Sequence, residues 1–239
     1  MSTNKIICIG DGFATGHIWP EWPQILSALM PDYFVITIAG IGAGSEFLVS
    51  ELVQCDHVDS AYVIFQWPQA DRFDKLIQDT TWDKHIDQDQ IYNKNFVNGS
   101  TGRWWLSSAS NLETVKHYHS WYVQSQQTET RQRVYKQLVA SFLREKNCSF
   151  TFTSTDDQDK FSRQERFINI RQDQVQPSPL VHLKFLIEVL LPAVNLFPNN
   201  NKLAILEDII SNTQWNPYDP DRVYIWDNII TQLQKIHNY

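Results

Sequence analysis

Four short apolar runs, separated by stretches of helical periodicity, constrain this chain more than any other feature of its sequence. Residues 5–9, 33–38, 61–65 and 149–153 are rich in Ile, Val, Phe and Thr. Runs of that length and content read as strands buried in a sheet. Helices are expected over residues 21–29, 45–54 and 126–146. Pro23 falls in the first turn of the first helix, where a missing amide donor costs little. Ser45 is expected to cap the second, which places Phe47, Leu48, Leu52 and Val53 on apolar positions. A further apolar helix is expected over residues 180–191, stopped by Pro192. Alternation of this kind predicts an α/β protein with a parallel sheet and helices on both faces.

Two stretches depart from the alternation. Residues 68–110 are rich in Asp, Gln, Asn and Trp and include Trp82, Trp104 and Trp105. They read as an insertion or long loop on the rim of the sheet, after its third strand. After Phe197 comes the polar break Pro198-Asn199-Asn200-Asn201, then about forty residues with two helical signals. The second signal, over residues 221–237, puts Ile225, Ile229, Leu233 and Ile236 on one face. The expected organisation is one domain over residues 1–197 and a helical appendage over 198–239, packed on that domain or on a partner.

Composition narrows the function classes. The 239 residues are 13% aromatic, with nine Trp, which excludes a disordered chain. A net charge of -7 argues against an electrostatic nucleic-acid binder. No uncharged apolar run reaches the ~18 residues a membrane span needs. The three cysteines, Cys8, Cys55 and Cys148, are odd in number and far apart, and Cys8 and Cys148 fall in apolar runs. They read as reduced thiols rather than a zinc site. With no apolar leader at the N-terminus, a cytoplasmic protein is expected.

Ligands of open parallel sheets sit beyond the carboxyl ends of the strands. Only eight glycines occur, yet Gly10, Gly12, Gly40, Gly42 and Gly44 fall in two loops at such ends. A dinucleotide fingerprint is not met: after Gly10 and Gly12, Gly16 comes one residue late, and His17-Ile18-Trp19-Pro20 precedes the next helix. No phosphate-loop Lys is present either. No cofactor and no metal are expected.

Another pattern fits better. Ile6-Ile7-Cys8-Ile9-Gly10-Asp11-Gly12, followed by Trp22-Pro23, resembles the first block of the SGNH (GDSL-type) hydrolases, where a strand ends in Gly-Asp-Ser. Ala39-Gly40-Ile41-Gly42-Ala43-Gly44 resembles the second block, which helps form an oxyanion hole. Val63-Ile64-Phe65-Gln66-Trp67 with Arg72 resembles the third, in the variant carried by bacteriophage-encoded SGNH-like proteins. Asp173-Gln174-Val175-Gln176-Pro177-Ser178 with His182 resembles the fifth. The resemblance covers residues 5–195 and implies a three-layer α/β/α sandwich with a flavodoxin-like sheet.

Its departures bear on chemistry. Gly12 stands at the position of the nucleophilic Ser and Gln176 at that of the catalytic His, so only Asp173 of the triad is kept. Glycine has no group to attack a carbonyl, and a glutamine amide cannot take up the nucleophile's proton. The resemblance therefore implies a catalytically degenerate, phage-type pseudoenzyme acting as a binding or virion-associated module. Its expected partner is a glycan or a phage structural protein. Asp11, Gly40, Gly42, Gln66, Trp67, Arg72 and His182 are the expected binding residues.

Other residues admit more than one role. Arg72 suits either a bidentate clamp on an anion or a bridge to Asp11 or Asp173. Arg103-Trp104-Trp105 suits stacking on a sugar or a base, or simple burial. Ser45 and His182 are the candidates for an active esterase or glycan deacetylase with a non-standard nucleophile. Thr15 reads as a turn residue. His17 lies near the vacant nucleophile position without an evident partner, and His117 and His119 form an HxH pair lacking further ligands.

Overall fold

The computed structural model describes residues 4–16, 19–70, 72, 74–77, 96–100, 102–106, 125–154, 168–171, 174–176, 178–215, 225–229 and 231. The four apolar runs form strands β1 (Asn4–Gly10), β2 (Tyr33–Ala39), β3 (Tyr62–Trp67) and the later Ser149–Ser154. They pair into a parallel four-stranded sheet in which β1 lies between β2 and β3, and β3 between β1 and Ser149–Ser154. Tyr62 stands opposite Ser149 and Trp67 opposite Ser154. Ile6, Ile7, Cys8 and Ile9 are all fully buried, as expected of a strand covered on both faces. Helices α1 (Trp22–Leu29) and α2 (Ser45–Val53) follow β1 and β2.

The chain groups into two compact units. One takes in the described residues of Ile7–Thr15 and Ile36–Ser154, the other those of Met1–Ile6, Gly16–Val35 and Thr155–Tyr239. In the first unit, Ile7, Ile9, Phe47, Leu48, Leu52, Val63, Phe65 and Trp67 form a core with Val139 and Leu143 of α3 (Ser125–Glu145). Full burial of such side chains contributes roughly 1.5–3 kcal/mol each.

Residues 68–110 are not a plain loop. They contain β4 (Asp74–Ile77), β5 (Phe96–Gly99) and β6 (Gly102–Leu106), an antiparallel sheet with β6 in the middle. The β5–β6 hairpin is held to α2 by Glu51, whose carboxylate accepts hydrogen bonds from the Ser100 amide (2.9 Å) and hydroxyl (3.0 Å). Strand Ser149–Ser154 is β7. Cys148 just precedes it, half-buried, and its thiol donates to the Val58 carbonyl at 2.9 Å. Burial pushes the Cys8 thiol well above its ordinary pKa, so it is inert.

In the second unit, α1 begins with a capping box between Glu21 and Gln24, and Glu21 also accepts the Gly16 amide at 2.8 Å. Trp22, Ile25 and Leu26 are fully buried, and α1 packs against α4 (Pro179–Phe185). A short antiparallel pair, β8 (Ile168–Arg171) and β9 (Gln174–Gln176), lies where no strand was expected.

Pro192 does not end the helix it was expected to stop. After α4 the backbone widens into a π turn over Leu186–Leu190, in which the Leu191 amide bonds the Leu186 carbonyl, and continues as α5 (Leu191–Val194). The widened turn shifts the bonding register just where proline lacks a donor, so the helix passes through. It ends instead at Asn195, in the left-handed conformation at φ 53°. Asn199 then caps α6 (Asn200–Asn212), accepting the Asn201 and Lys202 amides at 2.9 and 3.3 Å. Helix α6 buries Leu206 and Ile210 and packs against α4. Residues 225–229 are helical, with Ile229 buried, while Leu233 and Ile236 lie outside the described residues.

Candidate functional site

Strand β1 ends at Gly10, a position with no room for a side chain. A Cβ on Gly10 would stand 2.8 Å from the Ala14 Cβ and 3.1 Å from Gln66 Oε1. The chain then turns through a single 3-10 turn, Gly12–Ala14, capped by Asp11. Asp11 Oδ1 accepts the Phe13 amide at 3.1 Å, and the Thr15 hydroxyl donates to the Gly12 carbonyl at 3.2 Å. The other oxygen of Asp11 is ion-paired with Arg72 Nη1.

Arg72 is thus the bridge rather than the clamp, and this ion pair leaves the loop locally neutral. Its carbonyl accepts from Arg131 Nη2 at 2.7 Å, and Arg131 also ion-pairs with Glu46 at 3.4 Å. Asp11 is 1% exposed, so the pair is a fixed element of the turn.

Gly12 is different from Gly10. Among the described residues, a Cβ at Gly12 would find only the Ile41 Cα at 3.8 Å and the Gly42 amide nitrogen at 3.9 Å, both ordinary contact distances. The position therefore has room for a Cβ, which would face the second glycine loop. In that loop Gly40 and Gly42 are buried, the Gly40 carbonyl accepts the Ala43 amide at 3.0 Å, and Gly42 adopts φ 78°, a conformation suited to glycine.

Helix α2 carries a correction and an unexpected residue. Gly44, not Ser45, is its N-cap, and Ser45 is the first helical residue. A glycine cap offers no side-chain acceptor, and Asp74 of β4 supplies it instead. Both Asp74 oxygens accept the Gly44 amide, at 2.9 and 2.8 Å, and Oδ2 also accepts the Phe47 amide at 3.0 Å. Burial raises the Asp74 pKa to about 7, with the amides of Phe47 and Gly44 opposing and Glu46 adding to the rise. Tyr135 is likewise raised, by burial first and by Glu46 next. None of this network around α2 was anticipated. The one sequence signal for it is the glycine at the helix start, whose orphan amides require an acceptor from elsewhere.

The remaining expected residues divide sharply. Gln66 is fully buried beside Gly10. Trp67 is also fully buried, stacked on Phe65 at 4.0 Å between centroids and met edge-on by Phe152 at 5.5 Å. Its indole N–H finds no acceptor among the described residues. Trp104 is core too, meeting Phe47 edge-on at 5.9 Å.

His182 belongs to α4 in the other unit and is fully buried, with its pKa pushed down to about 3 by burial. A base that weak holds no proton at neutral pH. Gln176 ends β9, but its side chain lies outside the described residues, as do Asp173, His17, His117, His119 and the side chains of Arg103 and Trp105. Among the described residues no cluster of three His, Cys, Asp or Glu could hold a metal, and no helix is long and apolar enough to cross a membrane.

The structure therefore brings Gly10, Asp11, Gly12, Gly42, Gln66 and Arg72 to one end of the sheet, with the Thr15 hydroxyl of the same loop engaged by the Gly12 carbonyl. Compared with known proteins, the chain matches no family model, no curated protein and no solved structure.

Proposed function

We propose that this chain is a catalytically silent SGNH-like protein of the bacteriophage type, an α/β/α sandwich that serves as a binding or structural module. The sheet order, with the first strand between the second and third and the fourth parallel strand beyond the third, supports a flavodoxin-like layout. The observation that carries the functional reading is the contrast between Gly10 and Gly12. Among the described residues, packing demands glycine at the first position and leaves room for a Cβ at the second. A missing side chain at Gly12 is therefore not a steric requirement of the turn, and it stands where the family resemblance puts a nucleophilic serine.

The hydrolase alternative loses support from the same geometry. Ser45 is 4% exposed in the first turn of α2, and His182 is fully buried. Neither is placed to meet a dissolved ester. Within the module reading, Trp104 is packed in the core and is not offered as a sugar platform.

The test is restoration. The unaltered protein is expected to resist a fluorophosphonate probe and to leave p-nitrophenyl acyl esters intact. The double variant Gly12→Ser with Gln176→His is expected to take up the probe and show weak turnover. Turnover by the unaltered protein that disappears in Ser45→Ala would overturn the silent-module reading. A folded double variant that stays inert would instead remove the assignment of Gly12 and Gln176 to the triad positions.

A further inference from the structure

Two side chains that follow β3 reach back to both glycine loops. Arg72 is ion-paired with Asp11 in the first loop, and Asp74 of β4 accepts the amides of Gly44 and Phe47 at the start of α2. All of these residues lie within one compact unit. The approach to α2 is close. A Cβ on Gly44 would stand 3.0 Å from Asp74 Oδ2 and 3.2 Å from the Arg72 carbonyl, so glycine at that position lets the two residues lie against the helix start.

The charges at this contact are unequal. Three carboxylates, those of Asp11, Glu46 and Asp74, meet two guanidiniums, those of Arg72 and Arg131. Arg72 is committed to Asp11 and Arg131 to Glu46, and Asp74 has no ion pair among the described residues. It is also 8% exposed. From α2, Glu46 faces it, with Oε2 accepting the Asp74 amide at 3.3 Å. From α3, the Tyr135 phenol lies near both acids, and across the ladder β6 places the apolar Leu106 opposite. Burial pushes the Asp74 carboxyl up to about 7, the Phe47 and Gly44 amides oppose the rise, Glu46 adds to it, and Arg72 acts against it. With a proton on Oδ1, Oδ2 still accepts both amides, at 2.8 and 3.0 Å, and the uncompensated charge is gone.

We propose that Arg72 and Asp74 form a proton-controlled strap: with Asp74 protonated, β4 is fastened to the start of α2, and loss of that proton loosens it. The docked carboxyl holds its proton more tightly than a carboxyl in water, so protonation favours the fastened form and rising pH favours release. The strap does not depend on the module reading.

Amide hydrogen exchange of the full chain, followed by NMR, tests it. Corrected for intrinsic exchange, protection of the Gly44 and Phe47 amides should be about tenfold higher at pH 6 than at pH 8. Both should exchange faster than the amides of Ile7 and Ile9 in β1, which open only with the whole unit. Asp74→Asn has no proton to lose and should bring the ratio to about one. Glu46→Gln removes the neighbouring charge and frees Arg131 to act on Asp74, so the ratio should shrink. In the unaltered chain, the side-chain carboxyl carbon of Asp74 should titrate well above the ordinary aspartate range. A tenfold ratio that persists in folded Asp74→Asn would overturn the proposal. So would an Asp74 carboxyl that titrates in the ordinary range, or Gly44 and Phe47 amides that exchange no faster than those of Ile7 and Ile9.

Discussion

Two glycines separated by one residue play opposite parts at the end of β1. Gly10 is hemmed in by Ala14 and Gln66, whereas a Cβ at Gly12 would meet nothing closer than 3.8 Å among the described residues. Gly10→Ala should therefore cost about 1–3 kcal/mol through overpacking. Gly12→Ala should be neutral or stabilise by roughly 0.5 kcal/mol, because the unfolded chain loses freedom. Urea denaturation midpoints of the two variants check this, and the reverse order would mean that the turn differs from the one described. That both glycines mark a loop at a strand end was legible from their position after an apolar run. Which of them is sterically required was not, because the answer depends on Gln66 and Ile41, brought close only by folding. The same holds for Arg72. Its charge was evident in the sequence, but its choice of Asp11 over a ligand is made by tertiary approach.

At the scale of elements, β4 and α4 each carry one buried titratable group, and the two pull stability in opposite directions with pH. Asp74 has a folded pKa of about 7, above its ordinary value of 3.8. The folded chain thus holds a proton that the unfolded chain gives up, and stability from this group grows as pH falls, by about 2–3 kcal/mol from pH 8 to pH 5. His182 has a folded pKa of about 3, below 6.5. Here the unfolded chain takes up the proton, so stability is lost as pH falls below about 6.5, by about 3 kcal/mol at pH 4. The two slopes should cancel between about pH 6.5 and pH 4. Asp74→Asn should remove the gain and expose the acid loss due to His182, measured as urea midpoints across that range. A variant whose profile parallels that of the unaltered chain would show that Asp74 does not titrate as described. The strands and helices of the main sheet were legible because their burial leaves a continuous apolar trace. Strands β4, β5 and β6 were not, because each is only four or five residues long and none alternates polar with apolar residues. The π turn was missed for another reason: a proline signals a stop only when the hydrogen-bond register stays α-helical.

On the scale of the whole molecule, the two compact units are each assembled from segments distant in sequence, so the boundary expected at residue 198 has to be judged by what α6 contributes. Leu206 and Ile210 are buried, and α6 packs on α4. Removing residues 199–239 should forfeit about 3–6 kcal/mol from those two side chains alone, a large share of the 5–15 kcal/mol that typically holds a domain together. The expected outcome is an insoluble product or the loss of a cooperative melting transition. A soluble remnant that melts as the full chain does would make the C-terminal segment dispensable. Asp74 has a consequence on the same scale. The insertion delivers this carboxylate to the amides of Gly44 and Phe47 through the chain itself, at an effective concentration of roughly millimolar or more. A dissolved anion would have to compete with one that never diffuses away. The start of α2 is in that sense already liganded, and its ligand is the insertion.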